Sequence, residues 1–234
     1  MQKLFDSANI FSLCGKAIKI VTILLITFII FGLIQSLFLS PIDYIQGHSV
    51  RIMYVHVPSS WIALLSFGVI GFLSILNFIF RNKNFGLICK AIAPIGLMFT
   101  LISIFTGALW GKPTWGVWWA WDARITSMLV LCFFYLLYIF SWKFIGNNSA
   151  NKVSSLIAIF GLINLPIIKF SVDWWNTLHQ TSSVKILSTS TIHYSMMVPL
   201  LAMFLTLSLY SVLIFLMKYK TEIIRLKRKG LNRI

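Results

Sequence analysis

The feature that most constrains this chain is a series of six long apolar segments separated by short polar connections. A helix needs about 20 mainly apolar residues to cross a lipid bilayer. The composition agrees, because 59% of the residues are hydrophobic and only 11% are charged, whereas a soluble domain is about a quarter charged. We predict an all-α polytopic membrane protein whose residues 1–234 form one six-helix bundle. The predicted spans are about 18–40, 55–80, 86–110, 123–145, 153–170 and 192–217.

The basic residues predict the orientation of these spans. A net charge of +15 is compatible with nucleic-acid binding, but the Lys and Arg residues flank apolar segments and form no single patch, so we expect no nucleic acid. Fifteen of the 20 lie at the N-terminus, in residues 81–90, in residues 143–152 and in the tail from Lys218. Cytoplasmic loops carry the positive excess. We therefore predict that both termini are cytoplasmic, in a bacterial inner membrane or, alternatively, a mitochondrial one.

Several kinds of chemistry are disfavoured. The three cysteines, Cys14, Cys89 and Cys132, lie far apart without a C-x-x-C motif, which argues against thiol–disulfide exchange and covalent haem attachment. The sequence has no phosphate-binding G-x-x-x-x-G-K-[ST] loop. No connection exceeds about twenty residues, so a hidden catalytic domain is not expected. We expect a protein that is not an enzyme and that acts at a membrane face.

The aromatic residues cluster on the predicted outer, periplasmic face. Five tryptophans fall within residues 110–121, and Trp174 and Trp175 follow Asp173 in the fifth connection. A helix after Pro113 would place four side chains of the 110–124 segment on one face as a shelf for a flat apolar ligand: Trp115, Trp118, Trp119 and Asp122. The alternative is an amphipathic helix that only anchors the bundle at the interface. The second aromatic and acidic cluster favours a site.

All four histidines also fall at or near this face. His56 stands where the second span begins, beside Pro58, and His179 precedes the last span. Two imidazoles on one face can ligate one metal from opposite sides, and imidazole is a standard axial ligand of haem iron. The alternative is that both are hydrogen-bonded polar anchors. His48 is predicted to be solvated, and His193 is the second choice to pair with His56.

Two arginines are candidates to bind the propionates of a haem, because a guanidinium binds carboxylates as a bidentate fork. Arg124 begins the fourth span immediately after the tryptophans, and Arg51 precedes His56 by five residues. The alternative for Arg124 is an ion pair with Asp122, which is geometrically poor at a separation of two residues on a helix.

Three separated strings then resemble a known family. Trp115-Gly-Val-Trp118-Trp119-Ala-Trp121-Asp122-Ala-Arg124 resembles the "WWD" signature of haem-handling membrane proteins. With Tyr54-Val-His56-Val-Pro58 and Trp174-Trp175-Asn-Thr-Leu-His179-Gln180, the chain is similar to the haem exporter protein C (CcmC) family of system I cytochrome c maturation. Pro41-Ile-Asp43-Tyr44 and Gly111-Lys112-Pro113 add to the match, which covers roughly residues 41–180.

The resemblance implies a role and a set of partners. Family members have six spans and work with CcmA, CcmB and CcmD. They pass a non-covalently and transiently bound b-type haem to the periplasmic chaperone CcmE. By this resemblance, His56 and His179 are the axial ligands. The haem shelf consists of Trp115, Trp118, Trp119, Trp121 and Asp122, and His193 has no place in the family pattern.

Other functions stay open at this point. A transmembrane electron-transfer subunit would want a second histidine pair or a quinone site at the opposite face. A channel or small-molecule transporter would want polar or charged residues at mid-span. Zinc bound by His56, His179 and Asp122 would leave the tryptophans unexplained, and haem lyases with the WWD signature are usually larger.

Overall fold

The computed structural model describes residues 7–145, 147–180, 184 and 191–231, and this part of the chain is helical and contains no β-strand. Within these ranges six helical stretches are long and apolar enough to cross a membrane, which confirms the predicted fold class. The helices are α1 (Ser7–Leu33, continued by a π-helical turn, Ile34–Leu39), α2 (Met53–Phe80, preceded by a 3-10 turn, His48–Ile52), α3 (Lys83–Trp115), α4 (Ala123–Phe144), α5 (Asn147–Gly161), α6 (Asn164–Trp174) and α7 (Tyr194–Leu231).

The fifth span differs from the single helix predicted over residues 153–170. Helices α5 and α6 together span it, and the chain turns at Leu162 and Ile163 between them. Pro166 explains the interruption, because a proline inside a helix lacks an N–H and its ring clashes with the carbonyl four residues earlier. Restarting the helix at Asn164 places Pro166 in the first turn, where no N–H is needed.

The predicted amphipathic helix after Pro113 is wrong. Helix α3 runs on to Trp115 and ends at Gly116, which adopts the left-handed conformation (φ 79°) and donates its N–H to Lys112 O at 3.0 Å. Residues 117–122 are not helical. Asp122 then caps α4, because its Oδ1 accepts from Ile125 N at 2.8 Å. Two favourable helix ends therefore outweigh the periodicity. Trp115 remains in α3, and Trp118, Trp119 and Trp121 lie on an irregular connection.

The core lies between α2, α3 and α4, with α5 and α7 packed around them. Its largest side chains are aromatic, and Phe67 packs edge-to-face on Tyr135 with ring centroids 5.0 Å apart. The Tyr135 hydroxyl donates to Ala63 O at 2.7 Å, which satisfies its one polar atom inside the bundle. Helix α1 packs mainly on α7 and leaves most of its apolar side chains exposed, as expected for a helix that faces lipid. The rigid α2–α3–α4 core fixes the helix ends that carry the predicted site residues.

We predict that Gly96→Ala destabilises the bundle. A Cβ at Gly96 would overlap the buried Tyr135 ring and its hydroxyl, so α3 could not keep its distance from α4. Overpacking of this kind costs about 1–3 kcal/mol. The measurement is the fraction of detergent-solubilised protein that stays monodisperse on gel filtration after heating.

Gly68→Ala is the matched control, because the nearest atom to its added methyl is Leu165 Cδ1 at an ordinary 3.7 Å. Equal heat resistance of the two variants would show that α3 and α4 are not held this closely.

Candidate functional site

A cavity of about 360 Å³ opens at the end of the bundle where α2 and α4 begin and α3 and α6 end. Its volume lies in the range of small-molecule sites. Its walls are largely apolar and aromatic, and they come from five helices and three connections. Among the residues predicted from sequence, the cavity brings together His56, Trp115, Trp118, Trp119, Arg124 and His179.

His56 is positioned by α3. It lies in the first turn of α2, and its Nδ1 is 3.0 Å from Ser103 O and 3.1 Å from Thr106 Oγ1. A carbonyl can only accept, and the Thr106 hydroxyl already donates to Ile102 O at 2.6 Å. The Nδ1 therefore carries the proton, and in a neutral ring Nε2 is left unprotonated. An unprotonated Nε2 is the form in which imidazole binds a metal.

The space for this imidazole depends on Gly107. A Cβ at this position would lie 3.0 Å from His56 Cε1. Trp110, one turn further along α3, meets the His56 ring nearly edge-on with centroids 5.8 Å apart. The sequence motifs do not single out Ser103, Thr106 or Gly107. The signal that could have found them is a stripe of small and polar residues, spaced i, i+3, i+4, within an otherwise apolar span.

His179 is positioned by Asp122. Its Nδ1 donates to Asp122 Oδ2 at 3.0 Å, and the Trp115 ring packs against it with centroids 4.7 Å apart. Burial of the ring lowers the pKa of His179 from its ordinary value, and the hydrogen bond and charge of Asp122 oppose this effect. Burial therefore favours the neutral form of the ring. As at His56, Nδ1 is engaged and Nε2 is the nitrogen left for a metal.

The other tryptophans predicted for the site, Trp121, Trp174 and Trp175, lie outside the cavity wall. Trp121 is 77% exposed and meets the Trp119 ring edge-on at 5.5 Å. Trp174 and Trp175, where α6 ends, are exposed and pack edge-to-face on each other at 5.7 Å. The indole Nε1 of Trp119 is buried and has no hydrogen-bond partner among the described residues. The exposed rings of Trp121, Trp174 and Trp175 form a rim beside the cavity.

The two predicted arginines are placed differently. Arg124 lines the cavity and is held against α6, because its Nε donates to Ser171 Oγ and its Nη2 to Lys169 O, both at 3.3 Å. The alternative ion pair between Arg124 and Asp122 does not form, and Asp122 hydrogen-bonds to His179. Arg51 lies in the 3-10 turn outside the cavity wall, and its buried Nε has no hydrogen-bond partner within the described part of the chain.

Neither of the other histidines lies in the cavity. His193 is exposed at the start of α7, where its Nδ1 is 2.8 Å from Ser195 Oγ. His48 is exposed in the 3-10 turn. Within the described ranges, no three His, Cys, Asp or Glu side chains form a group that could hold a bare metal ion. The zinc alternative therefore has no support from geometry.

The first connection adds a wall residue that no sequence pattern indicates. Asp43 Oδ1 accepts from Ile45 N at 2.9 Å and from Gln46 N at 2.7 Å, which folds a tight turn. The turn brings Gln46 Oε1 to 2.9 Å from Trp110 Nε1. Gln46 thereby ties the first connection to α3 at the cavity. Chemically, the site offers two neutral imidazoles, indole walls and a guanidinium around one space.

Comparisons with known proteins identify the family of this chain. A family model described as "CcmC: Heme exporter protein C" matches residues 1–233. The chain is 42% identical over 202 residues to a Heme exporter protein C of Bradyrhizobium diazoefficiens, covering 86% of this chain and 76% of the relative.

Two further relatives come from another bacterium and from a plant. A Heme exporter protein C of Haemophilus influenzae is 39% identical over 218 residues, which cover 92% of this chain and 88% of the relative. A putative cytochrome c biosynthesis ccmC-like mitochondrial protein of Marchantia polymorpha is 42% identical over 81% of this chain and 80% of its own length. On a match that extends over almost its whole length, this multi-pass membrane chain belongs to the heme exporter protein C family.

Proposed function

We propose that this chain handles haem in cytochrome c biogenesis, and that it binds haem between His56 and His179 and delivers it to the chaperone CcmE. The observation that carries the proposal is the convergence of both imidazoles on one cavity with Trp115, Trp118 and Trp119. His56 comes from a helix start and His179 from a distant connection, so it is the fold that places both in the wall of one cavity.

The donor set fits haem. Each neutral imidazole uses Nδ1 in a hydrogen bond and keeps Nε2, the arrangement found in metal-ligating histidines with a polar partner behind them. Indole walls suit a flat apolar ring, and Arg124 supplies a guanidinium that a propionate can approach. Arg51 is a second candidate for a propionate, because its buried Nε is unpaired among the described residues.

The rim suits a protein that releases its cargo. On the rim, Trp121, Trp174 and Trp175 are more than half exposed, and so is Trp118 in the adjoining cavity wall. Exposed aromatic residues around a cavity suit contact with a protein partner. We therefore infer a non-covalent, transient b-type haem complex and a transfer scaffold that is not an enzyme. Its proposed partners are CcmE, CcmA, CcmB and CcmD.

The proposed setting is a bacterial inner membrane with the cavity on the periplasmic side and both termini in the cytoplasm. The excess of Lys and Arg at the opposite end supports this orientation. All four histidines lie away from that basic end, so no second pair is available for electron transfer across the membrane.

We predict that purified protein with added haem shows a low-spin, six-coordinate absorption spectrum. His56→Ala or His179→Ala should each abolish it, because iron would lose one of its two axial nitrogens. His48→Ala is the control and should leave the spectrum unchanged. A six-coordinate spectrum that survives His179→Ala but is lost with His193→Ala would assign the second ligand to His193 and contradict our pairing.

We predict that Asp122→Asn weakens haem binding about 10- to 100-fold, the usual effect of removing a partner that orients a ligating histidine. The carboxylate accepts through both oxygens, from Ile125 N and from His179 Nδ1. An amide has one acceptor oxygen, so it can keep the helix cap but not both bonds. The measurement is a haem titration followed by absorbance.

Asp173→Asn is the matched control, because it removes an exposed acid from the same end of the bundle. If both substitutions changed haem affinity equally, the loss of negative charge would explain the result, and Asp122 would have no specific role.

We predict that Gly107→Ala weakens haem binding roughly tenfold, since the new methyl presses on His56 Cε1 and displaces the ring. The same titration measures this effect, with Gly68→Ala as the control for an added methyl in a spanning helix. Unchanged affinity in Gly107→Ala would show that the position of His56 against α3 does not matter for binding.

A further inference from the structure

A second cavity, of about 470 Å³, lies at the opposite end of the bundle, where α3 begins and α4 approaches its end. The C-terminal part of α7 forms its third side. Four cationic side chains and one acidic side chain line it: Lys90, Lys143, Lys218, Arg225 and Glu222. The haem proposal uses none of these residues.

Glu222 is only 8% exposed and bonds to two of the four cations. Its Oε2 is 2.7 Å from Lys90 Nζ, and its Oε1 is 2.6 Å from Arg225 Nη1. One carboxylate cannot neutralise four cations. Lys143 and Lys218 are exposed and form no ion pair with any described residue, so the mouth of the cavity carries uncompensated positive charge. Such a site attracts an anion.

The position of the cavity indicates which anion. Three of the candidate membrane spans reach their ends here, so the cavity lies at the boundary between lipid and water. One helical turn further into the bundle, its wall becomes apolar at Pro94 on α3 and Ile139 on α4. Trp142 lies between the charged mouth and this apolar wall, and Lys90 Nζ is 5.3 Å from the centroid of its ring. A charged mouth above an apolar wall matches a phosphate group attached to an acyl chain.

We propose that this cavity is a binding site for one anionic phospholipid, with the headgroup phosphate between Lys143, Lys218 and Arg225 and the start of an acyl chain against Pro94 and Ile139. Basic pockets between spanning helices are suited to anionic headgroups. The site is distinct from a general attraction of the basic tail to the membrane surface, because it is formed by three helices and requires the fold.

The test compares two double variants that remove the same charge from the full-length protein in a neutral detergent. Lys143→Gln with Lys218→Gln removes two cations from the cavity, and Lys16→Gln with Lys19→Gln removes two exposed cations from α1. Phosphatidylglycerol and phosphatidylcholine of equal chain length are titrated, and native mass spectrometry counts the lipids retained. We expect the cavity variant to lose phosphatidylglycerol affinity by roughly tenfold or more, and the α1 variant to match the parent.

A third variant gives a change of opposite sign. Glu222→Gln frees Lys90 and Arg225 from their carboxylate and should strengthen phosphatidylglycerol binding. The third titrant is inorganic phosphate alone, which should not bind at comparable concentrations because it lacks the acyl chain.

Four results would overturn the proposal. The first is that both double variants lose phosphatidylglycerol affinity equally, and the second is that the parent retains phosphatidylcholine as well as phosphatidylglycerol. The third is that Glu222→Gln weakens phosphatidylglycerol binding, and the fourth is that inorganic phosphate binds as tightly as the lipid. The last result would identify a site for free phosphate.

Discussion

The proposed site depends most on the carboxylate of Asp122, which accepts one hydrogen bond from the first turn of α4 and one from the ring of His179. The first bond ends the irregular tryptophan connection at a fixed point on the bundle. The second fixes the fifth connection to the third. A single side chain therefore determines where α4 begins, where the indoles of Trp118 and Trp119 lie and which nitrogen of His179 carries the proton. An amide could not provide both acceptors, so the two structural roles require the acid.

The two imidazoles are held by different means. His56 belongs to the rigid pair α2 and α3, and its partner Ser103 O is a backbone atom within a helix core. His179 follows the end of α6 and is held by one carboxylate and the edge of Trp115. A ligand on a helix keeps its place through packing, whereas a ligand on a connection depends on a few polar contacts. For a protein proposed to release its cargo, the second kind of support gives a bond that a partner can compete with.

Much of this arrangement could be predicted from the sequence, because the bilayer restricts the fold so strongly. Apolar length gave six spans, and the residue types at their ends gave the face with histidine, tryptophan and acid. Periodicity failed at residues 117–122, where a glycine with positive φ and an Asx cap at α4 outweigh the helical spacing. Hydropathy also did not predict the interruption between α5 and α6 before Pro166, because the residues there are as apolar as their neighbours. Ser103, Thr106 and Gly107 could not be identified, since their role exists only because α3 packs against the first turn of α2.

The placement of polar groups explains why the proposed chemistry is at the edge of the bundle. Ionisable groups are costly at the bilayer centre and usually face a cavity or a partner there. Here His56 lies in the first turn of α2, and both partners of its Nδ1 come from α3. His179 and Asp122 lie just outside, where they satisfy each other. At the opposite end, buried Glu222 is compensated in the same way by Lys90 and Arg225. Each end thus holds one buried carboxylate, but the number of cations around it differs. At the first end, the imidazole that pairs with Asp122 keeps its Nε2 free for the proposed metal. At the other end, the two lysines that Glu222 does not pair with carry positive charge for the proposed anion.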